Sequence, residues 1–83
     1  MKHAGAEALD RLEALLADVR RLPGLKERSR GVFYKGGKAI LHFHEDPAGL
    51  FADLKVGTAF VRHDVSDAAR QRAFARVLKT TLA

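Results

Sequence analysis

Cysteine is absent from the chain, which removes disulfides, thiolate metal ligands and cysteine nucleophiles from consideration. That absence fits a cytoplasmic protein, and the sequence is read as one. No apolar run approaches the roughly 20 residues a helix needs to span a bilayer, so no membrane partner is expected. The N-terminal stretch Met1-Lys2-His3-Ala4-Gly5 leads into regularly spaced acids rather than the apolar core of a signal segment. Serine is scarce too: Ser29 and Ser66 are the two present, and neither lies in a Gly-x-Ser-x-Gly elbow. Gly36-Gly37 does not open a helix, as a phosphate loop must. Glu45 and Asp46 belong to a turn, so no carboxylate pair in a cleft is visible. Repeats, low-complexity tracts and linkers are missing as well. No cofactor is indicated.

What is present is one small domain over residues 1–83, 47% hydrophobic and 30% charged, with a formal net charge of +5. That balance belongs to a soluble globular chain with a single modest core rather than to a disordered one. The positive charge is uneven. Arg20, Arg21, Lys26, Arg28, Arg30, Lys35 and Lys38 share a stretch whose one acid is Glu27, and no acid follows Asp67. Such a distribution permits phosphate contact, although without a nucleic-acid fold motif a solvated surface is the better explanation.

Periodicity then divides the chain. Leu9, Leu12, Leu16 and Val19 recur three and four apart, predicting a helix over Gly5 to Leu22 that Pro23-Gly24 ends. Lys26 to Arg30 reads as a basic connector. Val32–Lys35 and Lys38–His44 read as a hairpin about Gly36-Gly37, a two-residue loop that supplies positive φ. After the Asp46-Pro47-Ala48-Gly49 turn, Leu50–Val56 and Ala59–Val65 form a second hairpin about Gly57-Thr58. Ser66 is placed to cap a last helix, with Ala73, Phe74, Val77, Leu78 and Thr81 on its inner side. The expected fold is a two-layer α+β domain. It has a four-stranded antiparallel meander, with the N- and C-terminal helices on one face (order αββββα).

Side chains alternate across a strand, so the turns assign the faces. The core face collects Val32, Tyr34, Ala39, Leu41, Phe43, Leu50, Ala52, Leu54, Val56, Ala59 and Val61, with His63 at its edge. The other face collects Phe33, Lys35, Ile40, His42, His44, Phe51, Asp53, Lys55, Phe60 and Arg62. Pairing His44 with Phe51 makes His42, Asp53 and Arg62 one row across three strands. Phe33, Ile40, Phe51 and Phe60 would make an apolar patch that soluble monomers seldom expose without a use.

Three functions compete for these residues. The leading one is a non-enzymatic binding or assembly module, a homodimer or a protein-partner complex. It would work through Phe33, Ile40, His42, His44, Phe51, Asp53, Phe60 and Arg62. Nucleic-acid binding through Arg28, Arg30, Arg72, Arg76 and Lys79 is the alternative; Arg72, Arg76 and Lys79 share the outer face of the last helix. A metal-dependent or acid-base site at His42, His44 and Asp53 is the third, because residues two apart on a strand share a face and a cross-strand carboxylate can orient an imidazole. No metal is assigned on this basis, since zinc takes three or four protein ligands and the third and fourth are unclear. The competing account is a polar row in which Asp53 pairs with Arg62.

Leu22-Pro23-Gly24, Gly37-Lys38, the run Leu41 to Asp46 and the strand Leu50 to Val56 resemble small bacterial families of unassigned activity. One is the MmcQ/YjbR-like family, with a helix ending in Leu-Pro-Gly, a Gly-Lys hairpin and a His/Arg-Glu-Asp turn; another is a short luciferase-like domain with a similar His-containing hairpin. The resemblance implies an α+β fold and a role sometimes taken to be DNA binding. It transfers no catalytic residue.

Overall fold

The computed structural model describes residues 2–82. In chain order its elements are β1 (Lys2–His3), α1 (Ala6–Arg11), α2 (Glu13–Arg20), β2 (Lys26–Ser29), β3 (Val32–Lys35), β4 (Lys38–Asp46), β5 (Gly49–Val56), β6 (Ala59–Asp64) and α3 (Ala68–Leu82). The sheet runs β2-β3-β4-β5-β6 with antiparallel neighbours, and β1 pairs with β4. The expected class, α+β on an antiparallel sheet, is what forms. Among the described residues the strand count is six rather than four.

Both added strands have physical causes. β4 is nine residues long and β3 only four, so the C-terminal half of β4 would be left as a bare edge. β1 covers it, setting His3 against His44 and Lys2 against Glu45. Ala4 N–H then donates to the Phe43 carbonyl at 3.0 Å, and Gly5 N–H donates to Glu45 Oε2 at 2.6 Å, closing the entry to α1. The basic connector, meanwhile, is largely strand. A glycine with φ of +81°, Gly31, turns β2 back on β3, and its N–H donates to Glu27 Oε2 at 2.9 Å.

The first helix follows its apolar stripe. It is split at Leu12, whose N–H is shared between the Ala8 and Leu9 carbonyls, while Leu16 N–H still reaches the Leu12 carbonyl at 2.9 Å. The break is therefore local and the axis continues. Ala8, Leu9, Leu12, Leu15, Leu16 and Val19 pack with Leu41, Phe43, Leu50, Ala52 and Leu54 from the sheet and Phe74 and Leu78 from α3. Both helical segments thus cover one face of the sheet.

Four expectations are corrected. Phe33 is a core residue, 1% exposed, and does not belong to the open face. A bulge places Ile40 between the residues paired with Phe33 and Tyr34, so Phe33 faces Leu41 and Tyr34 faces Ala39. That one extra residue sends Phe33 to the other side, and Ile40 also packs against the core. Val56, Ala59 and Val61, expected on the core face, are exposed, because Ala59 and Val61 lie on the edge strand β6 and Val56 ends β5 at the turn into it. On α3 the inner side carries Phe74, Ala75, Leu78 and Leu82, leaving Val77 and Thr81 outside. Finally, Ser66 is no helix cap. Its hydroxyl accepts from Leu50 N–H at 3.0 Å and donates to the Leu50 carbonyl at 3.3 Å, while Asp67 Oδ1 accepts from Arg70 N–H at 2.8 Å and caps the helix.

The middle of the sheet forms as read. His44 faces Phe51, His42 faces Asp53, Asp53 faces Arg62, and His63 faces Ala52 with its ring 4.9 Å from that of Phe74.

Candidate metal centre on the open sheet face

The open face is narrower in apolar surface than its sequence suggested. With Phe33 and Ile40 drawn to the core, Phe51 and Phe60 remain, and histidines occupy the centre. Alternation on β4 presents His42 and His44 together, and β1 brings His3 directly across from His44. The ring centroids are 4.7 Å apart for His3 and His44, 5.1 Å for His42 and His44, and 5.8 Å for His3 and His42. One ligand nitrogen from each ring lies within 4.8 Å of the other two. Zinc held at about 2.0–2.1 Å from each nitrogen would need them closer than this.

The surroundings favour neutral rings. Burial, with the neighbouring His44 next in importance, pushes the His42 pKa below its usual 6.5. Burial lowers that of His44 as well, against the opposing pull of Asp53. A neutral imidazole keeps the lone pair that a metal requires. The Nδ1 atoms of His42 and His44 are buried without a hydrogen-bond partner. His44 Nδ1 does lie 3.0 Å from Asp53 Oδ2, but off the line a hydrogen bond needs. Each such buried nitrogen costs on the order of 1–3 kcal/mol.

Asp53 is the one buried charged side chain among the described residues, at 6% exposure. Both its oxygens accept from Arg62, from Nε and from Nη2, each at 2.8 Å. That bidentate pair holds its carboxyl below the usual carboxylate pKa. The polar row anticipated from the sequence is therefore formed, and it abuts the imidazole cluster rather than replacing it. Phe60 borders the cluster, its ring 4.8 Å from that of His42.

His42, His44 and Asp53 come together as the strand pattern indicated. His3 completes the cluster, and sequence reading missed it: a two-residue strand has no periodicity to detect, and the cue was the unpaired second half of a long β4.

The basic residues named for nucleic-acid contact arise from separate elements. Arg28 lies over the Tyr34 ring at 4.8 Å, and Arg30 is bound to Asp10 at 2.8 Å and Glu13 at 2.9 Å. Both arise from or beside β2 at one edge of the sheet. Arg72, Arg76 and Lys79 are exposed on α3, which packs on α2 and on β6 at the other edge. No helix of the described residues is long and apolar enough to cross a membrane.

Together these features define a small α+β domain with an imidazole-centred face on its antiparallel sheet. Comparison with family models, with curated proteins and with solved structures finds no match to this chain.

Proposed function

We propose that this chain is a binding module that works through its open sheet face and holds a divalent transition-metal ion at the centre of that face. The ligands are His3, His42 and His44. The observation that carries the reading is the convergence of three imidazoles from two strands to within 4.8 Å. Two of them have a buried nitrogen that no protein group satisfies. Imidazole suits zinc, copper and nickel, and three protein nitrogens leave a coordination position for a further ligand. Asp53 Oδ2 sits 3.0 Å from His44 Nδ1; turning the His44 ring into line on metal binding would let this carboxylate take the Nδ1 proton and leave Nε2 as the lone pair. Arg62 in turn keeps Asp53 ionised and fixed.

The test is calorimetric titration of chelator-treated protein with zinc, followed by cobalt(II) absorption spectra of the same protein. One ion per chain is expected, with loss of binding in His3→Ala, His42→Ala and His44→Ala and a cobalt spectrum of nitrogen ligation. Binding that persists unchanged in His42→Ala and His44→Ala overturns the reading, and so does its absence in the unmodified chain.

A further inference from the structure

The two edges of the sheet are finished in opposite ways. β2 is four residues of Lys-Glu-Arg-Ser, interrupted by a bulge, with Arg28 folded over Tyr34. Shortness, charge and a bulge are what keep an edge from recruiting another strand. β6 lacks two of these defences, shortness and a bulge, although it carries Arg62 and Asp64. It is six residues long and pairs with β5 in unbroken register from Val56–Ala59 to Phe51–Asp64. The exposed large apolar side chains also gather there: Phe60 and Val61 on β6, Val56 at the turn that feeds it, and Val77 on α3, which shares a cleft with His63.

We propose that β6 is a dimerisation edge that pairs antiparallel with β6 of a second copy of this chain, with Val61 on the two-fold axis. The two sheets then become one continuous sheet.

The backbone selects that register. Val65 N–H donates to the Leu50 carbonyl at 2.9 Å. Bonded and non-bonded pairs alternate along an antiparallel ladder, so Ala59, Val61 and His63 also turn their N–H and C=O toward β5. Phe60, Arg62 and Asp64 turn theirs to the open edge. Residues facing each other across a new antiparallel ladder must both point outward or both inward. An axis between Val61 and Arg62 sets outward Phe60 against inward His63 and cannot form a ladder. An axis at Arg62 sets two guanidinium groups directly opposite, which is repulsive. Axes farther along leave fewer strand residues paired. An axis at Val61 sets Phe60 against Arg62 twice, Val61 against Val61, and Ala59 against His63. Arg62 then lies opposite the partner copy's aromatic ring on the open face, and Val61 meets Val61 on the helix face. The edge is complementary to itself, which is why its occupant is a second copy.

Light scattering of the chromatographed protein, in chelator so that metal plays no part, tests this. The unmodified chain is expected at the mass of two copies. Val61→Lys and Val61→Glu should each run as one copy, and an equimolar mixture of the two should return to the mass of two. A second measurement does not depend on those variants folding. The chain lacks cysteine, and a non-hydrogen-bonded antiparallel pair has its Cα atoms about 4.5 Å apart, within disulfide reach. Val61→Cys should therefore oxidise to a covalent dimer far faster than Arg76→Cys on α3. A monomeric unmodified chain overturns the proposal. A dimer that Val61→Lys leaves intact, a mixture that stays monomeric, or equal crosslinking of the two cysteine variants does so as well.

Discussion

Replacing Asp53 by Asn separates its pairing with Arg62 from the positioning of His44 proposed for it. The side chain is 6% exposed and takes two charge-assisted hydrogen bonds of 2.8 Å from Arg62. Asn has nearly the same volume, so no cavity opens, but its amide group turns two donors toward the donors of the guanidinium. Hydrogen bonds to charged groups are worth about 1.5–3 kcal/mol. Arg62 is half exposed and regains water when the pair is lost, which brings the expected loss for Asp53→Asn down to about 1 kcal/mol. In a domain of this size that lowers Tm by about 4–8 °C. Arg62→Gln should cost more, because it strands a buried carboxylate instead of a hydrated guanidinium. Calorimetry in chelator measures both, and the order of the two variants is the sharper check. The same Asp53→Asn protein should bind zinc about 10–100-fold more weakly, the usual effect of removing a carboxylate behind a ligating histidine. Unchanged zinc affinity would refute the positioning of His44 by Asp53. A melting temperature higher for Arg62→Gln than for Asp53→Asn would refute the electrostatic argument.

Two further outcomes follow from the fold. Phe33→Ala should destabilise by about 3–5 kcal/mol, whereas Phe60→Ala should have a small effect on the monomer's stability, because the bulge at Ile40 buries the first ring and β6 leaves the second half exposed; equal effects in urea melts would contradict the register. Glu27, bound to Arg20 and to the N–H of Gly31, has its pKa held below the usual 4.5, chiefly by the Arg20 hydrogen bond. A lowered folded pKa means the unfolded chain takes up the proton first, so this stabilisation is complete above about pH 4.5 and is lost as pH falls below it. Glu27→Gln should therefore be less stable at neutral pH and lose less on acidification, and parallel pH profiles for the two proteins would count against that contact.

The local pattern of the sequence determined the parts of this protein that rest on alternation and short turns. A stripe of leucines three and four apart makes the first helix whatever surrounds it, and Gly36-Gly37, both at positive φ, make a two-residue turn that sets the next strand's direction. The turns about Pro47-Ala48 and Gly57-Thr58 fixed the pairing of β4, β5 and β6, and with it the row of His42, Asp53 and Arg62. Tertiary structure decided whatever depends on unequal lengths and competition between partners. Phe33 joined the core because an extra residue in β4 turned its face, and no composition marks that site. Ser66 left the helix start because the Leu50 backbone offered it two hydrogen bonds. His3 entered the cluster because nine residues of β4 outran four of β3 and left backbone groups that Lys2 and His3 could pair. An unpaired backbone edge is a property of the assembled sheet, so the third imidazole, like the open edge of β6, becomes visible when the strands are in place.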